Sequence, residues 1–248
     1  MELTHFFKNR TSVRKYTAQK IDRNLLDELL EATMRTPTTG NMQLYSIVIT
    51  TDENVKKQLS PCHFNQPSIT NAPAVLTFCA DFNRFEKWCN LRGAEPGYRN
   101  FQSFFTASID ALLAAQTFCT LAESKGLGTC YFGTTTYLTG QIIELLNLPE
   151  MVVPVTTVTV GYPDGEVQRT DRLSPDGIVH FDRYKDYTEE DINRIYAEKE
   201  SLPENRKFVE ENGKETLAQV FTDIRYTKKD NETFSEMFLE AIKRQGFL

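Results

Sequence analysis

The chain has 248 residues, of which 40% are hydrophobic and 25% charged, and it carries a formal net charge of −6. This length can bury a substantial core, as one large domain or as a domain with an added lobe. The acidic balance argues against a general nucleic-acid binder, which would carry a surplus of basic side chains.

The cysteines, histidines and N-terminus narrow the class further. The first ten residues lack the apolar segment of a secretory leader, and no apolar run approaches the ~18 residues of a membrane span. The five cysteines are scattered without a C-x-x-C pair, which favours a reduced protein. The three histidines are far apart in sequence, so we expect no metal site. We therefore expect a cytoplasmic protein with no membrane and no nucleic-acid partner.

Hydrophobic periodicity and capping residues predict strands and helices that alternate along the chain. In chain order, the predicted strands are residues 11–16, 45–51, 74–80, 129–132 and 155–160. The predicted helices begin after Asp22, after Asp52, and at residues 101, 139, 188 and 231. This order indicates an α+β or α/β sheet covered by helices, in one domain of residues 1–248.

The longest predicted helix spans residues 101–125 and ends at Gly126 and Gly128. Its small side chains should let another element approach closely; they are Ala107, Ala111, Ala114 and Ala115. Its predicted apolar stripe comprises Phe105, Ile109, Leu112, Leu113, Gln116 and Leu121.

Two regions lie outside this pattern. Residues 82–100 show few strand or helix features and are predicted to form an excursion over the core, such as a lid. Residues 185–248 are predicted to form a C-terminal helical extension, with Thr188 capping its first helix and Asn231 its last.

The segment from Arg10 to Tyr16 alternates in chemistry. If it is extended, Arg10, Ser12 and Arg14 project from one side, and the two arginine backbones are roughly 13 Å apart. That spacing suits a longer ligand with a phosphate at one end and an electron-rich ring at the other. Taken alone, the segment favours a solvated basic strand over a ligand site.

Further segments follow in an order and spacing typical of one family. Besides residues 10–14 they are residues 41–43, 66–73, 78–84, 126–133 and 161–173. Together they resemble the flavin-dependent nitroreductases, nearer the larger, NADPH-using branch. The resemblance implies a nitroreductase-like α+β fold, in which helices flank a central mixed sheet. It also implies a homodimer with FMN at the subunit interface.

The resemblance implies that several discontinuous segments hold FMN. Arg10 and Ser12 would hold its phosphate and ribityl end, and Arg14 would face the N1/O2 edge of the ring. Gln66 would pair with the pyrimidine edge, because an amide both donates and accepts. The remaining residues of the N-terminal motif are Thr11 and Val13. The residues beside the ring would be Tyr131, Phe132, Gly133 and Thr134, the last replacing a glycine found in many relatives.

Two more groups complete the implied site. Arg172 would cap the phosphate, and Arg169 is a candidate to replace the lysine often found where this chain has Thr170. The segment reaching the flavin from the other subunit would comprise Thr38, Thr39, Gly40, Asn41 and Gln43. The proline and aromatic usual after it are Leu44 and Tyr45 here.

No side chain stands out as an acid or base, as expected if the flavin carries the chemistry. The implied function is reduction of nitroaromatics, quinones or free flavin by NADPH or NADH. The mechanism would be ping-pong, because donor and acceptor share one flavin face. A non-catalytic FMN-binding protein and a specialised flavin enzyme, such as a reductive dehalogenase, remain open alternatives. The C-terminal basic residues would either recognise the extra phosphate of NADPH or form solvated helix faces; they are Arg206, Lys207, Lys214, Arg225, Lys228 and Lys229.

Overall fold

The computed structural model describes residues 2–248. The chain forms two compact units, one containing the chain through Val167 together with Phe234–Leu248, the other Gln168–Thr233. The strands are β1 (Tyr45–Thr50), β2 (Ala74–Asp81), β3 (Gly128–Phe132) and β4 (Val152–Gly161). The helices up to β4 are α1 (Leu3–Lys8), α2 (Arg23–Thr33), α3 (Glu53–Leu59), α4 (Pro67–Asn71), α5 (Asn83–Leu91), α6 (Phe101–Ser124) and α7 (Thr139–Leu145). After it come α8 (Glu189–Ser201), α9 (Pro203–Glu211), α10 (Leu217–Val220) and α11 (Lys228–Arg244).

The four strands form one sheet in the order β1-β2-β4-β3, and each pairing between neighbours is antiparallel. The predicted α+β class is confirmed, whereas the sheet is antiparallel and not mixed in the part of the chain that the structure describes. β2 and β4 occupy its centre and are buried along their whole length. This central position explains the nearly continuous apolar sequence of the strand predicted at residues 74–80.

Helix α6 packs against β2 and β4 through its small side chains. Ala107, Ala111 and Ala114 are fully buried, whereas Ile109 and Leu112 of the predicted stripe are exposed. The small residues therefore line the core, as expected of a close approach, and the larger apolar residues face outward. By length and composition α6 could also cross a membrane, but 44% of that window is buried inside the protein.

Two glycines make room for the N-terminal segment at the edge of the sheet. Gly128 and Gly161 are opposite each other in the β3–β4 pairing. A Cβ atom at Gly128 would lie 2.4 Å from Cγ2 of Val13, and one at Gly161 would lie 2.9 Å from Cδ1 of Tyr16. Helix α6 ends at Gly126, whose φ is +82°. Gly128, predicted to help end the helix, instead allows close packing of Val13.

Residues 82–100 contain a helix, α5, that the sequence analysis did not predict. Phe82 stacks on Tyr98 with ring centroids 4.7 Å apart, and Phe85 packs edge-on against the same tyrosine at 5.6 Å. Arg99 forms an ion pair with Glu86 at 3.1 Å. The two ends of the segment are thus joined by aromatic and charged contacts, and a lid role for it stays a prediction.

The second unit is held by caps and charged contacts. Thr188 caps α8 as predicted, and it forms a capping box with Asp191. The guanidinium of Arg225 lies 4.2 Å from the ring centroid of Phe208. The predicted cap at Asn231 is wrong: α11 begins at Lys228, and the amide of Asp230 donates to the Thr227 hydroxyl at 3.1 Å. A single domain with an extension from residue 185 stays a prediction.

Candidate functional site

The N-terminal motif is an extended segment laid along β3. The amide of Val13 donates to the carbonyl of Thr129 at 2.9 Å, and the Tyr16 hydroxyl donates to the Val13 carbonyl at 2.6 Å. Val13 is buried, Ser12 is half-buried and Arg14 is exposed. The backbone contacts therefore fix the segment while its polar side chains lie at more accessible positions.

Arg10 is paired with an acidic residue that the sequence analysis missed. Its Nη2 lies 3.1 Å from Oε1 of Glu123 near the end of α6, and Glu123 also accepts a hydrogen bond from the Thr129 hydroxyl. Burial raises the pKa of the Glu123 carboxyl, although the hydrogen bond from Thr129 and the charge of Arg10 oppose that rise. The arginine keeps further N–H donors for a second anion.

Arg14 lies close to Cys130 on β3. Burial raises the pKa of the Cys130 thiol, while the charges of Arg14 and Arg10 and a hydrogen bond from Arg14 act against that rise. The thiol thus stays protonated at neutral pH, and the Arg14 guanidinium is not neutralised by a thiolate.

The segment of Thr38, Thr39, Gly40, Asn41 and Gln43 is anchored to α6 by Asp110. This fully buried carboxylate accepts three hydrogen bonds: from the backbone N–H of Thr39 at 2.9 Å, from the Thr39 hydroxyl at 3.2 Å and from the backbone N–H of Leu44 at 3.1 Å. The backbone at Gly40, Asn41 and Gln43 has φ near +55°, a region that favours glycine and asparagine. A lone aspartate within an apolar helix was the sequence feature that could have identified this anchor.

Gln66 immediately precedes α4 and follows a strained turn in which Phe64 and Asn65 both have a φ of 54°. The backbone N–H of Gln66 donates to the carbonyl of His63 at 3.2 Å. The side chain is half-buried, and no hydrogen bond joins it to another described residue.

The end of β3 leads into a turn at Gly133–Thr136. Tyr131 is exposed and Phe132 buried. A Cβ added to Gly133 would meet no atom within 4 Å, so the backbone there is open. The Thr134 hydroxyl lies 2.9 Å from Nδ1 of His63, which joins this turn to the loop of Gln66.

Arg169 and Arg172 belong to the second unit and are both exposed. Arg172 donates to the Thr170 hydroxyl at 2.8 Å and to the Asp171 carbonyl at 2.7 Å. Thr170, where a lysine was expected, thus serves as a local partner of Arg172. The phosphate roles of both arginines stay predictions.

The contacts of the first unit link the N-terminal motif to β3, and the turn after β3 to the loop of Gln66. No described hydrogen bond or ion pair connects the Asp110-anchored segment to these residues, and its role toward the other subunit stays a prediction. His63, Asp110 and Glu123 make contacts to these segments that were not predicted from the sequence.

Comparisons with known proteins agree on one family. A model of the nitroreductase family matches residues 7–162. The FMN reductase (NAD(P)H) of Bacillus subtilis is 32% identical over 240 residues, covering 95% of this chain and 94% of that protein. The oxygen-insensitive NADPH nitroreductase of Salmonella typhimurium is 28% identical over 238 residues, covering 95% and 94%. A crystal structure from Bacteroides fragilis has a TM-score of 0.97 and 59% identity, covering 98% of this chain and 99% of that one. The chain therefore belongs to the nitroreductase family.

Proposed function

We propose that this protein is an FMN-dependent oxidoreductase that takes electrons from NADPH or NADH and reduces nitroaromatics, quinones or free flavin. Family membership supports the proposal. So do two relatives that match nearly the whole chain, one an FMN reductase that uses NAD(P)H and the other an NADPH nitroreductase.

The observation that carries the proposal is the hydrogen bond that joins the Gly133 turn to the loop of Gln66, next to an open backbone at Gly133. Because a Cβ there would meet nothing within 4 Å, a flat ring system has room to approach the main chain. The Gln66 amide, on the loop joined to this turn through His63, has both a donor and an acceptor to offer. The residues present therefore fit a flavin.

When bound, FMN supplies the redox chemistry of the reaction. The residues of this chain bind and orient it. Arg10 and Ser12 are proposed to hold the phosphate and ribityl end. Arg14 and Gln66 are proposed to face the polar edge of the ring, while Gly133 leaves space beside it.

We also propose a homodimer in which the Asp110-anchored segment completes the site of the partner subunit. The outward face of α6 supports this, because its large apolar residues are between 39% and 53% exposed. They are Phe101, Phe105, Ile109, Leu112 and Leu113.

The five cysteines are free and buried, which supports a reducing, cytoplasmic location.

The test is the absorption spectrum of the purified protein, followed by mass spectrometry of the released cofactor. We expect a yellow protein with about one FMN per chain, bleached by NADPH or NADH under anaerobic conditions. Initial rates at varied donor and acceptor should give parallel double-reciprocal lines. A colourless protein that refuses added FMN would overturn the proposal.

Two other outcomes would favour the alternatives. Bound FMN that neither nicotinamide bleaches would indicate a non-catalytic flavin-binding protein. Turnover confined to halogenated acceptors, with release of halide, would indicate a reductive dehalogenase.

A further inference from the structure

A hydrogen bond between the side chains of His63 and Thr134 joins two loops of the first unit. His63 is fully buried at the end of the short helix Ser60–His63, with its Nδ1 2.9 Å from Oγ1 of Thr134. Its ring packs edge-on against Phe132, with ring centroids 5.4 Å apart. The backbone carbonyl of His63 accepts a hydrogen bond from the backbone N–H of Gln66. His63 therefore also holds the backbone at Gln66 in place.

The other ring nitrogen of His63 determines which tautomer is present. Nε2 is buried, and none of the described residues hydrogen-bonds to it. An unpaired acceptor is better tolerated in a protein interior than an unpaired N–H group. The hydrogen therefore resides on Nδ1, which donates it to Thr134. The hydroxyl hydrogen of Thr134 is then left to donate elsewhere.

We propose that His63 is a positioning residue of the FMN site: through Thr134 it fixes the Gly133–Thr136 turn against the loop that presents Gln66. This inference rests on the proposed function, since it assigns a role toward the same cofactor. With glycine at position 134 the turn would have no side chain to bond to His63.

The hydrogen bond should affect FMN binding because a turn that is already fixed loses less conformational freedom when a ligand orders it. A net hydrogen bond of this kind corresponds to a change in Kd of roughly 2- to 12-fold. The two partners should differ in their effect on stability. Thr134→Val leaves both nitrogens of a buried imidazole unpaired, whereas His63→Phe leaves a half-buried hydroxyl that water can reach.

The experiment is a double-mutant cycle on the Kd for FMN, measured by titrating FMN into each apoprotein and following its fluorescence. We expect His63→Phe and Thr134→Val to weaken binding by similar factors, and the double variant to be no weaker than the singles. Thr134→Ser keeps the hydroxyl and should restore wild-type affinity. Thr33→Val is the control, because its buried hydroxyl bonds only to Leu29 of its own helix at 2.7 Å.

Unchanged FMN affinity in variants with lowered thermal stability would show a purely structural role and overturn the inference. Additive effects in the double variant would overturn it as well. If His63→Phe does not fold, the comparison of Thr134→Val with Thr134→Ser decides the question alone. A wild-type protein that binds no FMN would sink the proposed function, which distinguishes that failure from failure of the inference.

Discussion

Arg10 forms an ion pair with Glu123, and it is also proposed to bind the phosphate of FMN. Its guanidinium is 3.1 Å from Glu123, whose side chain is only 9% exposed. Removing the arginine would leave a nearly buried carboxyl without its cation, and such a group is costly to keep charged. Stability and ligand binding are therefore coupled at this residue, and a single substitution cannot separate them.

Arg10→Gln should lower the free energy of unfolding by about 1 to 3 kcal/mol, because Glu123 loses a charged partner. Adding Glu123→Gln should restore much of that stability, since a neutral amide needs no counter-ion. FMN affinity should stay weak in both variants if the Arg10 guanidinium binds the phosphate. Urea unfolding and FMN titration measure the two effects. Recovery of FMN affinity in the double variant would contradict the phosphate role.

His63 makes stability depend on pH. Burial lowers the pKa of its imidazole from the ordinary 6.5 to about 4, so between these values the unfolded chain binds a proton that the folded protein excludes. The contribution of the neutral imidazole to the free energy of unfolding is complete above pH 6.5 and is lost progressively as the pH falls toward 4. The full difference corresponds to roughly 3 kcal/mol.

Between pH 7.5 and 5, the wild type should lose more stability than His63→Phe, which has no imidazole to protonate. Thermal unfolding at the two pH values measures the difference. His5→Gln, at an exposed position of α1, is the control and should follow the wild type. Identical pH profiles for the wild type and His63→Phe would mean that His63 takes up a proton as readily in the folded protein as in the unfolded chain.

At the scale of elements, Asp110 ties a connecting segment to the central helix. Three donors converge on its two oxygens in a fully buried setting. An asparagine there would offer one acceptor oxygen and turn an NH₂ group toward backbone N–H groups. The carboxylate is thus specifically required, although it lies outside the residues proposed to touch the ligand.

Asp110→Asn should lower the free energy of unfolding by about 1 to 3 kcal/mol through loss of these bonds. The matched control is Asp52→Asn, because Asp52 caps α3 by accepting from the amides of Asn54 at 2.9 Å and Val55 at 3.0 Å. Asparagine caps helices about as well as aspartate, so this control should change stability little. Equal losses in urea unfolding would refute the specific role of Asp110.

Local capping was predictable from the sequence, whereas packing between distant segments was not. Asp22 and Asp52 each accept from amides two and three residues later, so the sequence alone contains both partners. The sequence predicted a close approach at the small residues of α6, but it did not reveal that the large apolar residues would face outward. That helix has one face of small residues and one of large ones, and periodicity does not state which of them a neighbour covers.

The candidate site divides in the same way. The motif from Arg10 to Arg14 and the glycine at 133 carry a recognisable local pattern, although their roles toward FMN stay predictions. The residues that contact these segments have no such local pattern in the sequence. Glu123 and His63 meet these segments only through the tertiary fold, and nothing near them in sequence indicates the pairing.

At the scale of the whole molecule, the outward face of α6 is the proposed subunit interface. Leu112→Glu should convert the proposed dimer to a monomer, because burying a carboxylate in an apolar interface is strongly unfavourable. The fold should survive, since Leu112 is 39% exposed and α6 packs through its other face. Light scattering measures the mass and circular dichroism the fold.

The control is Leu91→Glu at the end of α5, where the leucine is 77% exposed. This variant should remain dimeric. A Leu112→Glu protein of unchanged mass would place the subunit interface elsewhere.

The seating of the N-terminal segment against the sheet has a consequence for how the protein is made. The Tyr16 hydroxyl bonds to Thr159, which lies 143 positions later in the chain. During synthesis, at ~5–20 residues per second, the first residues wait many seconds for that partner. Until β4 has left the ribosome, Arg10 to Arg14 have no sheet edge to lie on. We expect the nascent protein to be unable to capture its cofactor before that moment, whatever the supply in the cell.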